Sequence, residues 1–204
     1  MYDVLDQYQQ PYDPLEPRVC VDEKPKQLLA DTRPPIPGKP GRPAKYDYEY
    51  ERKGTANIFV AVEPKAGKRT VEVTKRRTMR DFAAYIKYLM DRVYPEARKV
   101  HIILDNLSTH KDKALQDTFG EEEAARILER IEWHYTPKHG SWLNAAEIEI
   151  GVMDAQCTKG RFPDIETLST QVQAWAQRRN RNKKSITWLF TRERADKKLG
   201  RHYV

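Results

Sequence analysis

Short runs of apolar residues alternate along the chain with segments whose apolar positions recur every three or four residues. The short runs are bounded by proline, glycine or charged residues, and several alternate apolar with polar positions. This pattern is typical of β-strands. It predicts five strands, at residues 18–22, 57–64, 68–77, 99–104 and 131–135.

The segments with a spacing of three and four residues predict amphipathic helices. One helix follows Thr78, which is suited to cap its first turn together with Asp81. Residues 111–130 predict a helix that is broken at Gly120, and two further helices run from 143 to 157 and onward from 165. Since strands and helices alternate in the second half of the chain, we expect parallel strand pairs covered by helices, which is an α/β fold.

The length of 204 residues fits one domain with flanking segments. We expect an N-terminal arm over 1–17, a single domain over 18–190, and a basic tail or helix over 191–204. Residues 31–54 are rich in proline, glycine and charge. That composition predicts an extended loop inserted in the domain.

The net charge of +7 favours a polyanionic partner. Five cations lie within 178–184, among them Arg178, Arg179 and Arg181. They suit either a solvated surface or phosphate binding. Apolar runs fall short of the roughly 18 residues that span a bilayer, and the two cysteines form no CxxC pair. We therefore expect a cytoplasmic protein without a disulfide framework or a membrane partner.

Two aspartates follow predicted strands. Asp105 ends the buried run of 99–104, and Asp22 ends the strand of 18–22. In open α/β sheets the functional groups gather at the carboxyl edge of the strands. Each aspartate also has a structural interpretation. Asp105 is suited to cap a helix that begins near Ser108 or Lys111, and Asp22 to be a surface acid neutralised by Lys24.

A third acid lies in the helix that follows a proline–glycine loop, where Glu147 and Glu149 are both candidates. Residues two positions apart on a helix point about 200° apart, so the pair cannot serve one site. The apolar stripe does not choose between them. Glu147 also lies three residues after Asn144, which is the spacing of a capping box.

Carboxylates from two strand ends and one helix suit phosphodiester chemistry. Hard divalent cations prefer oxygen ligands, and two such ions about 3.5–4 Å apart activate the attacking oxygen and stabilise the leaving one. The predicted cofactor is therefore Mg²⁺ or Mn²⁺ in a two-metal site.

Four segments, VCVDEKPKQLL, PGRPAKYDYEYERKGTANIFVAVEP, IILDNLSTH and HYTPKHGSWLNAAEIEIG, resemble the IS630-type transposases of the IS630/Tc1/mariner superfamily. The likeness extends from about residue 18 to nearly the C terminus. It implies an RNase H-like catalytic domain, with a mixed five-stranded sheet flanked by helices.

By this resemblance the catalytic and metal-binding triad is Asp22, Asp105 and Glu147. Glu147 is chosen over Glu149 because it follows the Leu-Asn pair of the family motif. Asp105 and Glu147 are 42 residues apart, which is longer than is usual in the superfamily. An insertion through 119–131 would absorb the difference.

The resemblance also implies side chains that contact DNA or orient the acids. Asn106 and His110 match the family pattern that follows the second acid. They are expected to orient Asp105 or to contact a phosphate, with turn residues as the alternative. The expected DNA-binding set is Asn106, His110, Lys138, His139, Asn144, Arg178, Arg179 and Arg181. Trp142, Trp175 and Trp188 are expected in the core.

The implied partner is double-stranded DNA, namely transposon ends and a TA target, bound by a homodimer. A separate N-terminal helix-turn-helix region, supplied elsewhere, would recognise the ends. The protein itself is expected to be bacterial and cytoplasmic, and nucleoid-associated when bound to DNA. The implied activity is metal-dependent strand cleavage and strand transfer. The alternatives are an RNase H-like nuclease and a non-catalytic regulatory fragment that binds DNA.

Overall fold

The computed structural model describes residues 1–107 and 110–199. Five strands form one sheet in the order β3-β2-β1-β4-β5. Their bounds are β1 Arg18–Asp31, β2 Tyr50–Glu63, β3 Lys68–Thr74, β4 Val100–Leu104 and β5 Ile131–Tyr135. Strands β1, β2 and β3 are antiparallel neighbours, whereas β1, β4 and β5 are parallel. The expected mixed five-stranded sheet is confirmed.

Seven α-helices surround this sheet in the described part of the chain. They are α1 Tyr2–Gln9, α2 Met79–Tyr88, α3 Asp112–Phe119, α4 Glu121–Leu128, α5 Ala145–Met153, α6 Ile165–Arg181 and α7 Arg192–Leu199. Single π-helical turns extend α2 and α5, over Leu89–Val93 and Asp154–Thr158. No helix in the described ranges is both long and apolar enough to cross a membrane.

Local sequence signals set several helix ends. Thr78 and Asp81 cap α2 reciprocally, because the Thr78 side chain accepts from the Asp81 amide and the Asp81 carboxylate accepts from the Thr78 amide. Gly120 separates α3 from α4 with a φ of 82°, a conformation that glycine adopts without strain. Asp164 caps α6 through the Thr167 amide. These three boundaries were predicted and are confirmed.

The sheet is the middle of three layers. On one face, α2, α3 and α4 bury a core that includes Phe82, Ile86 and Leu104. On the other face, α5 and α6 cover β2 and β3 around Trp175. The same face continues over β1 and β4, where α1, α7 and the start of α5 pack. Trp175 is in the core, as expected.

Strands β1 and β2 are longer than the apolar pattern predicts, and the proline-rich loop is correspondingly shorter. Beyond the sheet they continue as a two-stranded ribbon that pairs Asp31 with Tyr50, so the connecting loop covers 32–49 rather than 31–54. Arg161 anchors the base of this loop, donating to Asp31 at 2.6 Å. The ribbon is largely exposed. A ribbon with little buried surface leaves no hydrophobic period to detect.

The first 17 residues do not form a free arm, contrary to the expectation from sequence. Helix α1 buries Val4 and Leu5 completely, and Tyr8 is 6% exposed. Ala195 of α7 is buried in the same cluster, and Arg192 pairs with Asp6. Positions 4, 5 and 8 lie on one face of a helix, and through that face α1 packs in one cluster with Ala195 of α7.

Candidate active site

Strand register places Asp22 beside Asp105. Strands β1 and β4 pair in parallel from Arg18 with His101 to Cys20 with Ile103. Continuing that register by two residues brings Asp22 level with Asp105, where β4 has just ended. Because side chains alternate along a strand, Asp22 emerges on the same face as Cys20, the face that α5 covers.

The side chain of Asn144 fixes the start of α5 over that face. Its Nδ2 donates to the carbonyl of Val21 at 2.9 Å, and its Oδ1 accepts from the Ala146 amide at 3.1 Å, which caps the helix. The hydrogen bond to β1 ends one residue before Asp22. Glu147, in the first turn of α5, is therefore held near Asp22 at the carboxyl edge.

A tyrosine from α1 makes a second attachment at the same point. The hydroxyl of Tyr8 donates to the Leu143 carbonyl at 2.7 Å and accepts from the Ala145 amide at 2.9 Å. Its ring stacks on Trp188 with centroids 4.3 Å apart. Helix α1 thus helps to position α5. Trp188, which was expected in the core, is only partly buried where it packs against the residues of α1 and α5.

The structure distinguishes the two glutamates of α5. Glu149 is completely buried, with Oε2 2.9 Å from Arg69 and Oε1 2.8 Å from Arg179. Burial alone would raise the pKa of Glu149, but the hydrogen bonds from the two arginines lower it. Glu147 is exposed and its side chain does not close a capping box with Asn144. Glu147 is therefore the glutamate that is free to join the two aspartates.

His110 lies behind Asp105 and connects it to Glu23. Its Nδ1 is 2.6 Å from Asp105 Oδ1, and its Nε2 is 3.3 Å from Glu23 Oε2. Burial would lower the pKa of His110, but the bonds to these two acids raise it to about 9. His110 is thus a cation at neutral pH that orients Asp105. Since it is 1% exposed, it is not positioned to contact DNA.

The alternative roles for the aspartates do not match the structure. Helix α3 begins at Asp112 with Lys111 at its N-cap position, so Asp105 does not cap it. Ser108, the other expected start, lies outside the described residues. Lys24 pairs with Asp154 at 2.8 Å rather than neutralising Asp22.

Negative charge accumulates around Asp22. Burial raises its pKa to about 7 against the opposing hydrogen bond from the Glu23 amide, and the carboxylates of Glu23, Asp105 and Glu147 add to the increase. Such repulsion between acids is relieved by a bound cation. The donor set consists of carboxylates, which suits Mg²⁺ or Mn²⁺. Within residues 1–107 and 110–199, a cluster with three ligand atoms mutually within 4.8 Å occurs at His101, Glu132 and His134 instead. The acids are therefore more widely spread than the ligands of a single ion.

Several side chains that were expected to contact DNA lie at the surface near the acids Asp22, Asp105 and Glu147. Lys138 and His139 are in the loop before α5, and Asn106 follows Asp105. His139 adopts a φ of 62°. Trp142 is 42% exposed and packs edge-on against Phe190, so it is not the core residue that the sequence suggested. Its exposure adds an aromatic face to the segment that leads from Lys138 into α5.

Asn144 and the arginines of α6 are placed differently from expectation. Asn144 is fully buried with both side-chain groups hydrogen-bonded, so it is not available to DNA. Arg179 is engaged by Glu149. Arg178 and Arg181 are exposed where α6 ends. There Asn180 bonds the backbone of Arg69, the β3 residue that follows the β2–β3 turn. That turn lies beside the start of β1, away from the carboxyl edge.

Three residues that support the site, Tyr8, Glu23 and Arg69, were not identified from the sequence, and Arg179 was expected to bind DNA rather than Glu149. Tyr8 and Glu23 contact groups adjacent to the acids, and Arg69 and Arg179 hold Glu149. For Tyr8 a signal existed, because Val4, Leu5 and Tyr8 share one helical face. Arg69 lies 80 positions from its partner, and no local pattern in one sequence connects such residues.

A family profile described as DDE superfamily endonuclease matches residues 17–169, most of the chain. The chain belongs to this family. The expected resemblance is confirmed at that level, and the family is one of endonucleases, which are enzymes. A comparison with curated proteins finds no match.

Solved structures of the DDE family's fold agree with the sheet described above. The Mos1 strand transfer complex matches 88% of this chain and 54% of its own, with 18% identity and a TM-score of 0.50. The intasome of simian T-cell lymphotropic virus with PP2A regulatory subunit B56 gamma matches 81% of this chain and 50% of its own, with 15% identity and a TM-score of 0.50. The chain spans about half the length of both. These matches confirm the RNase H-like fold.

The two glutamates of α5 predict opposite mutational behaviour. Glu149→Gln leaves the charge of buried Arg69 without its partner, so we expect a loss of about 3–5 kcal/mol in the free energy of unfolding. Glu147→Gln should change it by less than about 0.5 kcal/mol, because Glu147 is exposed. Urea unfolding followed by circular dichroism measures both. Equal destabilisation by the two substitutions would contradict the assigned roles.

The raised pKa of Asp22 predicts that the protein loses stability as the pH rises from the pKa of Asp22 in the unfolded chain to its pKa in the folded protein. From pH 3.8 to about 7 the folded protein holds a proton that the unfolded chain has lost, so the free energy of unfolding decreases as the pH rises. With chelator present, Asp22→Asn should therefore be more stable than wild type at pH 8, on the order of 2–4 kcal/mol, and not at pH 4.

Thermal unfolding across this pH range, with exposed Asp117→Asn as the matched control, tests the Asp22 effect. The Asp22 variant should melt roughly 5–10 °C higher at pH 8. A gain that is the same at pH 4 and pH 8 would assign it to packing rather than to charge.

Proposed function

We propose that this chain is the catalytic domain of an IS630-type transposase, which cuts DNA strands and joins their 3′ ends to target DNA. The observation that supports it most is the convergence of Asp22, Asp105 and Glu147 from two neighbouring strands and the helix across them. Membership of the DDE superfamily endonucleases supports the same conclusion.

Asp22, Asp105 and Glu147 would hold two Mg²⁺ or Mn²⁺ ions. When bound, these ions activate the attacking oxygen and stabilise the leaving oxygen of a phosphodiester. The protein supplies the orientation of the acids. His110 orients Asp105. Asn144 and Tyr8 hold the first turn of α5 in place. Burial and the neighbouring carboxylates raise the pKa of Asp22, and a bound cation would offset both effects.

Two phosphoryl transfers would follow at this one site. In the first, water attacks a phosphodiester at a transposon end, and the 3′ oxygen leaves as a free hydroxyl. In the second, that hydroxyl attacks a target phosphodiester, at a TA dinucleotide, and displaces its 3′ oxygen. No side chain forms a covalent bond with DNA in this scheme.

The DNA would cross the rim formed by Lys138, His139 and Trp142. Lys138 is placed to contact a phosphate, and the exposed face of Trp142 suits stacking on an unpaired base. Arg178 and Arg181 lie away from this rim, so they are assigned to a more distant stretch of duplex.

The further assignments rest on the sequence motifs. They are that the protein acts as a homodimer on paired ends, that a helix-turn-helix region recognises those ends, and that the protein is bacterial and cytoplasmic and associates with the nucleoid when bound to DNA. The Mos1 match is a strand transfer complex by its description, which agrees with the proposed second step.

Cleavage should require the acids and a divalent ion together. Supercoiled plasmid incubated with protein and Mn²⁺ should become nicked, which needs no knowledge of the end sequence. Asp105→Asn and Glu147→Gln should lower the rate by at least about 10³-fold, because positioned charge is the main source of catalysis in phosphoryl transfer. Far-ultraviolet circular dichroism should remain unchanged in both variants.

Glu166→Gln, an exposed glutamate in the first turn of α6, is the matched control and should nick as wild type does. Nicking at the wild-type rate in both the Asp105→Asn and the Glu147→Gln variant would contradict the proposal. Faster cutting of RNA–DNA hybrid than of DNA would favour the nuclease. DNA binding that ignores metal, without any cutting, would favour the regulatory fragment.

Lys138 should contribute one phosphate contact. Lys138→Ala is expected to weaken binding to any duplex and to reduce the slope of log affinity against log salt by about 1. Lys99→Ala, at the start of β4 on the opposite edge of the sheet, is the control. Fluorescence anisotropy at several salt concentrations measures the slopes, and equal slopes for the two variants would contradict the proposed DNA path.

A further inference from the structure

Two histidines and a glutamate form a second cluster of metal-binding residues, at the opposite end of β4 from Asp105. His101 lies near the start of β4, and Glu132 and His134 lie on the neighbouring strand β5. His101 pairs with Glu132 in the parallel register. Glu132 and His134 are two positions apart, so all three side chains emerge on the same face of the sheet.

The ligand atoms of this cluster are already close together. His101 Nδ1 is 3.1 Å from His134 Nε2, and the Glu132 carboxylate lies 3.7 Å from each of these nitrogens. Two nitrogen ligands of a tetrahedral ion are about 3.3–3.4 Å apart when each bond is about 2.0–2.1 Å. Only a small movement of the rings is needed to admit an ion.

A fourth residue orients one of the rings. Asp3, in the first turn of α1, accepts from His134 Nδ1 at 2.9 Å. With its proton on Nδ1, His134 presents the lone pair of Nε2 to the cluster. A carboxylate that holds a histidine in this way is the usual outer partner of a zinc-binding imidazole.

We propose that His101, Glu132 and His134 bind a divalent transition-metal ion, with Zn²⁺ as the best fit, and that Asp3 positions His134 for it. Water would complete a tetrahedral set. The two imidazole nitrogens select Zn²⁺ over Mg²⁺ or Ca²⁺, which prefer oxygen ligands. The bound ion would clamp α1, through Asp3, to the edge strand β5.

Burial and access both suit this assignment. His101 is 9% exposed and His134 3%, so both rings are held in place by their surroundings. The Glu132 side chain is 51% exposed, so an ion can enter from solvent. Without an ion, His101 donates from Nδ1 to His134, and binding moves that proton to the other ring nitrogen.

The test separates this site from the triad. In the Asp105→Asn/Glu147→Gln background, titration calorimetry of chelator-treated protein with Zn²⁺ should show one equivalent bound. Adding His134→Gln should abolish that binding, and Asp3→Asn should weaken it by about 10–100-fold. His139→Gln, which removes an exposed imidazole from another part of the surface, should leave it unchanged.

Two further measurements keep the outcome decisive. Co²⁺ should give the strong visible bands of a four-coordinate ion, and Glu132→Gln should diminish them even if the buried histidine variants fold poorly. Zn²⁺ should also raise the melting temperature in the Asp105→Asn/Glu147→Gln background, and Asp3→Asn should reduce that shift. Unchanged stoichiometry and affinity in both Glu132→Gln and Asp3→Asn would overturn the proposal and leave a hydrogen-bonded histidine pair. None of these readouts depends on DNA cleavage.

Discussion

The hydrogen bond from Asn144 to the carbonyl of Val21 is the contact on which the geometry of the acids depends. It joins the start of α5 to the central strand one residue before Asp22. The oxygen of the same side chain accepts from the Ala146 amide and caps α5, so a single amide group fixes both the position and the start of the helix. Because the bond is fully buried, water does not compete for it. The direction in which Glu147 leaves α5 follows from this contact and from Tyr8 behind it.

The two carboxylates of α5 are held by opposite electrostatic means. Glu149 is buried between two arginines, and its charge is fully compensated. Glu147 is exposed near Asp22, whose pKa is raised first by burial and then by the carboxylates of Glu23, Asp105 and Glu147. A carboxylate with local cations stabilises the fold, whereas one facing other acids is suited to bind a metal. His110 partly offsets the accumulated charge and does so by bonding Oδ1 of Asp105.

The sequence predicted the parts of the fold that depend on local periodicity or on specific caps. The buried strands, the break at Gly120 and the Thr78 cap follow from such signals. The outer half of β1 was missed because it is exposed, and α1 was missed although Val4, Leu5 and Tyr8 share a helical face. Periodicity left Glu147 and Glu149 open, and the family motif selected Glu147. The physical distinction between them comes from Arg69, which is remote in sequence.

Glu149 also controls how α5 is turned about its own axis. Its carboxylate is held by Arg69 from β3 and by Arg179 from α6, and these two elements are themselves joined through Asn180. Rotation of α5 about its axis would pull the carboxylate away from these arginines. The ion pairs therefore oppose rotation of α5 about its axis, while the hydrogen bond of Asn144 fixes where the helix lies over the sheet. Since Glu147 is only two residues before Glu149, the ion pairs of the buried acid also determine the direction in which Glu147 leaves the helix.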